Sequence, residues 1–488
     1  MKSSNILAFV LGLAAAAPTA TCLAAPQDAV FDITQYGAKG DGLTLNTAAI
    51  DSAIAACARA GGGTINVPAG TFVTGSVRLY SNMCLCLGPG AVLLASADPK
   101  DYKTQQDFGF TGYGAGNKLG LIFAVHAENV SITGPGIIDG RPEASLYMDS
   151  VQQEEPAIYT RQGKNYMGQN KAEAPVMWRG LYQDRPGPEI VCYDCKNLTL
   201  SEFTIRNAAD WSIAIVATDG AHINNLTIRN NMSVPNSDGM DFYDCTQVIV
   251  SDCDIRAGDD AIAVISTSNL VATNCTLSSR SSGIRIGYNA FNTRNSGNLL
   301  FDNIRIYASN RGIGIFQRQK GDMENMIFSN MIIDTRLFPG EWWGHGEPIH
   351  ISALPGLGNK EVGRISHLRF SHIIARGEEG IVLYGSATSV LNDIRFEDVS
   401  LTIAYGPETT AYGGNFDLRP TNNPETGLFR HDIPAIYAQY VDGLSLQNVD
   451  IHWEGDLPGY FTKALDYTHA THVTLDKFTG PAAHRARQ

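Results

Sequence analysis

Residues 236–260, NSDGMDFYDCTQVIVSDCDIRAGDD, decide the fold because they hold one complete repeat of an alternating apolar and polar pattern. Asp238 stands near the start of the repeat, and the pair Asp259-Asp260 ends it, about one turn of a β-solenoid later. In such a fold, residues one turn apart lie directly above each other, about 4.8 Å apart. The stretch therefore predicts that three carboxyl groups crowd onto one small patch.

Crowded carboxyl groups repel one another, which raises the pKa of at least one of them. Patches of this kind serve acid–base chemistry, so Asp238, Asp259 and Asp260 are the candidate catalytic residues. Each of them alone also fits a turn residue that accepts backbone N–H groups, as aspartate often does. The combination of all three within one turn favours the catalytic interpretation.

Further copies of the pattern extend in both directions along the chain. They begin at Asn129, Asn197, His222, Gln247, Asn269, Asn298, Asn325, His367, Asp393, Gly443 and His472. This period predicts an all-β fold, a single right-handed parallel β-helix with about three short strands per turn. The recurrent asparagines suit tight turns with left-handed backbone geometry and can stack as ladders. The leucine and asparagine spacing of a leucine-rich repeat is absent.

A short helix is predicted at the start of this solenoid. Residues 47–59 carry apolar side chains at helical spacing, Asn46 precedes them as a candidate N-cap, and three glycines follow at 61–63. Such a helix would cover the open end of the first turn. No linker or change of composition marks a second domain, so residues 26–488 are expected to form one β-helix catalytic domain.

Residues 1–25 resemble a signal peptide, with Lys2, an apolar stretch and a small-residue region that ends at Ala25. The apolar stretch is too short to span a bilayer, and no later segment is long and apolar enough. We therefore expect a periplasmic or secreted protein that does not insert into the membrane and is a monomer.

The overall charge narrows the classes of partner. The formal net charge is −13, which argues against nucleic acid as a partner. A polyanionic substrate would need a local basic patch.

Nine cysteines are present, and Cys192-x-x-Cys195 has no second pair or histidine at zinc spacing. A local disulfide or buried thiols are expected there, and we expect no metal or other cofactor.

Aligning the repeats on their apolar cores places chemically active side chains in two columns. The first column is Asp238, Asp260, Ser282, Arg311 and Glu347, and the second is Asp241, Ala263, Arg285, Gly314 and His350. Long polar segments at 141–188, 335–360 and 405–433 break the period, and such loops usually build a binding groove. The candidate substrate-binding residues are Arg285, Arg311, Trp342, Trp343, His345, Glu347 and His350.

Each of these candidates also has a structural interpretation. The two arginines fit solvated turn residues, and the histidines carry little weight individually. Trp342 and Trp343 fit the core, or a sugar-stacking platform because glycines and His345 flank them.

The motifs resemble glycoside hydrolase family 28, the polygalacturonase-like enzymes of the pectin-lyase-type β-helix superfamily. FDITQYGAKGDG at 31–42 and GGGTINVPAGTF at 61–72 are shared across that superfamily. Asn236-Ser237-Asp238 corresponds to the family's Asn-Thr-Asp, and Gly258-Asp259-Asp260 matches its Gly/Gln-Asp-Asp. Two other motifs differ. Ser281-Ser282-Gly283 stands in place of Gly-His-Gly, and Gly314-Ile315-Phe316 in place of Arg-Ile-Lys.

The resemblance implies inverting hydrolysis of a glycosidic bond in a pectin-like polysaccharide or oligosaccharide. It implies that Asp259 is the general acid and that Asp238 and Asp260 position and deprotonate the attacking water. Inverting enzymes typically hold acid and base about 6.5–9.5 Å apart.

Two alternatives remain open. A lyase on the same fold would use Asp238, Asp241, Asp259 and Asp260 as a calcium cluster and Arg285 as the base. A non-catalytic glycan-binding β-helix would bind sugar without releasing reducing ends.

Overall fold

The computed structural model describes residues 29–484 except 115, 143–146, 150–176, 180–184, 233, 289–293, 339–343, 357, 409–413 and 423–426, and it omits the side chains of 147–149 and 177–179. The predicted signal peptide, Trp342 and Trp343 lie outside the described residues. No helix within the described segments is long and apolar enough to cross a bilayer.

Sheet A is a parallel sheet of 22 strands. Its members are β1 (Val30–Asp32), β2 (Asp41–Leu45), β3 (Gly63–Val67), β4 (Gly70–Thr74), β6 (Met83–Leu87), β7 (Ala91–Ala95), β9 (Glu128–Thr133), β10 (Ile137–Asp139), β14 (Lys196–Ser201), β15 (Thr204–Arg206), β17 (Asp219–Asn224), β18 (Thr227–Arg229), β20 (Thr246–Ser251), β21 (Asp254–Ala257), β23 (Ser268–Thr273), β24 (Thr276–Ser279), β26 (Ser296–Ser309), β28 (Met323–Thr335), β30 (Ile365–Gly377), β32 (Leu391–Ala404), β36 (Val441–Glu454) and β38 (Thr474–Asp476). In the first part of the solenoid each turn contributes two short strands to sheet A. At β26 these two strands become one strand of 14 residues, which pairs with both β23 and β24, and β28 continues this pattern with 13 residues.

Sheet B has 12 parallel strands, one for each turn. They are β5 (Val77–Leu79), β8 (Ile122–Val125), β13 (Ile190–Tyr193), β16 (Ile213–Val216), β19 (Met240–Tyr243), β22 (Ile262–Ile265), β25 (Ser282–Gly287), β27 (Arg311–Gln317), β29 (Ile349–Ala353), β31 (Ile381–Tyr384), β35 (Ile436–Gln439) and β37 (Leu465–Thr468). Two antiparallel pairs stand apart, β11 (Tyr147–Asp149) with β12 (Met177–Arg179) and β33 (Asn415–Asp417) with β34 (Leu428–Arg430). The prediction of an all-β parallel β-helix is confirmed.

The core lies between the sheets because alternate side chains of every strand point inward. Four phenylalanines on consecutive turns show the repeat directly: the ring centroids of Phe301, Phe328, Phe370 and Phe396 are 5.1, 4.9 and 4.8 Å apart.

The eight cysteines of the described residues are free thiols. Cys192 and Cys195 are buried thiols rather than a local disulfide, one of the two expected outcomes.

The predicted asparagine ladder forms at the turns of sheet A. Asn269, Asn298 and Asn325 have φ between 56° and 58°, the left-handed region that asparagine tolerates. The amide nitrogen of each donates to the amide oxygen of the previous one, at 3.0 and 3.4 Å. His367 and Asp393 continue the column with a 2.9 Å contact, so residues that accept this geometry are spaced at the solenoid period.

The predicted helix, α1 (Thr47–Arg59), covers the first turns of the solenoid. It buries Ile50, Ala53, Ile54 and Cys57. Asn46 occupies the N-cap position, but its side chain bonds the backbone of Lys39 and Thr44 instead of capping the helix. Single-turn 3₁₀ helices occur at Ile33–Tyr36, Pro99–Asp101 and Gln105–Phe108.

Two segments cover the outward face of sheet B. Near the N-terminal end, residues 108–114 and 116–121 place Phe110 and Leu119 against Phe123 and Val191 of sheet B. Near the C-terminal end, the β33–β34 hairpin packs over the later strands. Asp238, Asp259 and Asp260 lie on the turns between these two covers.

Candidate active site

The register of sheet B confirms both columns. Asp241 pairs with Ala263, Ala263 with Arg285, Arg285 with Gly314, and Gly314 with His350. Ser282 pairs with Arg311 in the first column, and the same register places Asp238 beside Asp260 and Arg311 beside Glu347. The apolar alignment of the repeats was therefore correct through five turns.

Asp238, Asp259 and Asp260 come together as predicted. One carboxylate oxygen from each lies within 4.8 Å of the others. Asp238 and Asp260 are 3% and 4% exposed, and Asp259 is half-buried. The three acids therefore share a nearly dry site in which charge repulsion is strong.

Each carboxyl of the Asp259–Asp260 pair is held by specific donors. The Asn236 amide donates to Asp259 Oδ2 at 3.3 Å, and the Asp260 N–H donates to Asp259 Oδ1 at 3.1 Å. The Ser282 N–H donates to Asp260 Oδ1 at 3.0 Å, while Arg285 Nε donates to Asp260 Oδ2. Asp259 thus accepts these hydrogen bonds from uncharged groups, whereas Asp260 also accepts one from the Arg285 cation.

The Asn236 amide is itself fixed by a buried arginine. Arg185 Nη1 donates to Asn236 Oδ1 at 3.3 Å, and Arg185 Nε donates to the carbonyl of Ala209 at 2.6 Å. Asn236 has a φ of 55°, which places it in the left-handed region two residues before Asp238. Sequence reasoning missed this role, since Arg185 stood among several basic residues of a long insertion.

Burial and charge repulsion raise the pKa of Asp259 and of Asp238. Burial, followed by the charge of Asp260, raises the pKa of Asp259 to about 7. Burial also raises the pKa of Asp238 well above its ordinary value, with the charges of Asp241, Asp259 and Asp260 adding to the effect. Asp259 therefore titrates close to neutral pH, as a general acid requires.

Asp241 is a fourth carboxyl of the same site. It is fully buried, and within the described residues neither of its carboxylate oxygens has a hydrogen-bond partner. Arg285 Nη2 lies 3.6 Å from Asp241 Oδ1. Burial outweighs this arginine and raises the pKa of Asp241 well above its ordinary value, so Asp241 is poised to be neutral.

Arg285 lies against the acids rather than standing open to solvent. Besides Asp260 and Asp241, its guanidinium donates to the Gly287 carbonyl at 2.8 Å and lies 5.4 Å from the Tyr288 ring. It is 7% exposed. The neighbouring Ala263 and Gly314 leave room for it. Contact between Arg285 and substrate remains a prediction. Such a contact would use the part of the guanidinium that these partners leave accessible.

Of the other predicted substrate-binding residues, the four that the structure describes contact one another or a neighbouring acid in the next turns. Arg311 Nε lies 3.3 Å from Glu347 Oε1, and His350 Nδ1 lies 3.1 Å from the same oxygen. His345 Nδ1 lies 3.5 Å from Glu379. All of these side chains are buried. The Arg311 cation and its hydrogen-bonding neighbours hold the pKa of Glu347 at about 2 despite burial, so this group is a buried ion cluster.

Gly314-Ile315-Phe316 stands where the family has Arg-Ile-Lys, and this difference has a steric explanation. A Cβ at Gly314 would lie 2.4 Å from the Phe316 ring, so the ring occupies the space that a side chain at 314 would fill. Phe316 lies 5.0 Å from the Arg311 guanidinium and 5.4 Å from that of Arg318. The Phe316 ring, which lies near both Arg311 and Arg318, thus replaces the basic side chains of the family's Arg-Ile-Lys motif.

The three carboxyls are also the described residues whose acidic oxygens cluster closely enough for a metal ion. Carboxylate oxygens are the ligands that Ca²⁺ prefers. Arg285 already supplies positive charge to this cluster through Asp260 and Asp241, which reduces its attraction for a cation. The arrangement fits acid–base chemistry more directly than metal binding.

Comparisons with known proteins identify the family of the chain. Residues 57–336 match the family model described as Glycosyl hydrolases family 28. An exo-poly-alpha-D-galacturonosidase of Dickeya chrysanthemi is 31% identical over 50% of the chain, and a probable polygalacturonase of Vitis vinifera is 30% identical over 48%. Each aligned region is 43% of the relative's length, so the chain spans less than half of these curated relatives.

Two solved structures share the fold. The family 28 exopolygalacturonase of Yersinia enterocolitica covers 93% of the chain, with 79% of its own length matched, 19% identity and a TM-score of 0.67. A hyperthermoactive exopolygalacturonase from Thermotoga maritima covers 87%, with 92% of its own length matched, 18% identity and a TM-score of 0.56. At these identities the likeness supports the parallel β-helix alone.

Proposed function

Because the chain belongs to family 28 of the glycosyl hydrolases, we propose that it hydrolyses a glycosidic bond in a pectin-like polysaccharide or oligosaccharide with inversion. The observation that carries this proposal is the clustering of Asp259 with Asp238 and Asp260, one carboxylate oxygen of each within 4.8 Å of the others, at a place where burial raises the pKa of Asp259 to about 7. Such an arrangement offers a proton donor and a water-binding carboxyl pair at one point.

Asp259 acts as the general acid in this proposal. Its raised pKa keeps a proton available at neutral pH, and the part of its half-buried side chain that remains accessible can reach the glycosidic oxygen. Asn236 and the Asp260 N–H fix the orientation of the carboxyl. The proton moves from Asp259 to the leaving oxygen as the glycosidic bond breaks.

Asp260 and Asp238 hold the attacking water. A water that bridges two oxygens through hydrogen bonds of about 2.8 Å fits a gap of up to about 5 Å, and one oxygen of Asp238 lies within 4.8 Å of one oxygen of Asp260. Asp260, whose carboxyl accepts the charge-assisted bond from Arg285, is the proposed proton acceptor. The acid and the water-binding oxygens are nearer to each other than the roughly 6.5–9.5 Å usual in inverting enzymes, so the stereochemical outcome is a decisive test.

The protein is proposed to act as a secreted or periplasmic monomer, with residues 1–25 removed as a signal peptide and residues 26–488 as one catalytic unit. The apolar stretch and small-residue region before Pro26 support this. N-terminal sequencing of protein from culture fluid and periplasm tests cleavage after Ala25. Light scattering coupled to gel filtration tests the monomer.

The substrate class is tested by incubating the mature protein with polygalacturonate, rhamnogalacturonan and other plant and algal glycans. Reducing ends without ultraviolet absorbance of unsaturated products would support hydrolysis. A calcium-dependent lyase is the second candidate, favoured by the clustered oxygens of Asp238, Asp259 and Asp260. Absorbance that disappears with a chelator would favour the lyase, and binding without product would favour a glycan-binding protein.

A further inference from the structure

We propose that the segment formed by residues 414–422 and 427–430, here called the end wall, closes the C-terminal side of the active site. Under this proposal, which rests on the proposed hydrolysis, the protein cuts short products from a chain end. The end wall comprises the β33–β34 hairpin and the residues that follow β33.

The end wall lies on turns next to the acids. From Asp260 the column runs through Ser282 to Arg311 and then to Glu347. Two or three rungs of a parallel sheet span about 10 to 14 Å. The Asp417 carbonyl accepts from Arg311 Nη2 at 3.0 Å, so the end wall begins at the second of these rungs. Only a short stretch of glycan fits between it and the acids.

Burial shows that this part of the sheet face is covered. Phe316, His350 and Ser352 point outward from sheet B, yet none is more than 2% exposed. An open groove would leave such outward side chains in contact with solvent. The end wall and the adjoining residues 344–347 occupy that space, which excludes a glycan chain from continuing along the sheet.

Arg318 anchors the end wall. It is fully buried, and its guanidinium donates to the carbonyls of Leu418 and Pro420 at 3.0 and 2.7 Å, and to those of Ser352 and Gln317 on the sheet. These charge-assisted bonds join the sheet to the end wall without any role for a sugar carboxylate. Arg318 is therefore a structural clamp.

A second set of bonds holds the end wall at Asp417. The Gly344 N–H donates to Asp417 Oδ2 at 2.7 Å, and Arg419 forms two 2.8 Å bonds with the same carboxylate. Arg419 and Arg311 hold the pKa of Asp417 far below its ordinary value despite complete burial. A buried carboxylate with this many donors resists displacement, so the end wall is a fixed boundary.

The N-terminal side is also bounded by packed aromatic rings. Trp211 stacks on Tyr243 at 5.5 Å, and Tyr113 meets Tyr243 edge-on at 5.4 Å. Tyr243 lies on the same strand and the same outward face as Asp241. Covers on both sides make the acid site a pocket along the axis of the solenoid. A pocket of this kind receives a chain end more readily than the middle of a polymer.

Product length at low conversion tests this inference. The wild-type protein is incubated with the polymer that it hydrolyses, and the products are separated by size while viscosity is followed. We expect mono- and disaccharides from the first turnovers, with little loss of viscosity. A ladder of long oligosaccharides with an early fall in viscosity would overturn the end wall while leaving hydrolysis intact, whereas no reducing ends on any glycan would remove the proposed function itself.

Two variants loosen the end wall from different contacts. Arg318→Met removes the bonds to Leu418 and Pro420, and Asp417→Asn weakens the clamp to Gly344 and Arg419. Each should raise the fraction of internal cuts about tenfold, since hydrogen bonds to charged groups are strong. Arg369→Met, on the outward face of sheet A, is the matched control and should leave the products unchanged. Folded Arg318→Met and Asp417→Asn variants that keep the wild-type product pattern would contradict the proposal.

Discussion

Arg285 donates through Nε to Asp260 one turn earlier in the solenoid and lies 3.6 Å from Asp241 two turns earlier. Sheet B makes this reach possible because the intervening residue of the column, Ala263, is small. One cation therefore offsets several crowded acids. The charge of Arg285 also lowers the pKa of Asp259 against the larger effects of burial and Asp260.

Replacing Arg285 tests this relationship. In Arg285→Met the pKa of Asp259 should rise further, because the opposing positive charge is gone. The alkaline limb of the kcat/KM profile should therefore move to higher pH, and kcat should fall about 10- to 100-fold as Asp260 loses its charged donor. Arg369→Met is the control for loss of an arginine. A lower rate with an unmoved alkaline limb would indicate a role in binding alone.

The wild-type pH profile follows from the raised pKa of Asp259, about 7. A general acid works only in its protonated form, so activity should be present below this pKa and disappear as pH rises through it. Initial rates measured from pH 4 to 10 would show the limb. Full activity retained at pH 9 would be incompatible with Asp259 as the acid.

The configuration of the first product tests the water-binding role of Asp238 and Asp260. If a water bound between them attacks, the newly formed reducing end has the opposite anomeric configuration to the bond that was cut. Proton NMR spectra recorded within the first minutes of reaction distinguish the anomers before they equilibrate. Retention would mean that a carboxylate, at this short separation, attacks the sugar itself.

The stacked phenylalanines give a prediction for stability. Phe328 is fully buried between Phe301 and Phe370, so Phe328→Ala should lower the free energy of unfolding by about 3–5 kcal/mol. The adjacent Ile327 is 45% exposed on the outer face of the same strand. Ile327→Ala should change the same quantity by less than about 0.5 kcal/mol. Equal effects in denaturant titrations would show that the core is assigned to the wrong face.

The sequence allowed the columns to be predicted because period-two alternation and a regular repeat length fix the register. Asp238, Asp260 and Arg285 therefore fell where the alignment placed them. The pairing of Arg311 with Glu347 followed from the column. The burial of Arg311 could not be predicted, because the end wall that covers it comes from a segment without a repeat, about 100 residues away. The raised pKa of Asp241 likewise depends on the segments that cover sheet B.

The most direct test of the central claim is turnover by Asp259→Asn beside the wild-type protein and Asp252→Asn. Asp252 occupies a left-handed turn position that asparagine also accepts, with a φ of 57°, so its variant should keep wild-type activity. Because an amide cannot donate the catalytic proton in the same way, Asp259→Asn should release reducing ends at least about 100-fold more slowly, with its thermal unfolding midpoint unchanged or raised. A folded Asp259→Asn variant that hydrolyses pectic glycan at the wild-type rate would contradict the assignment of the general acid.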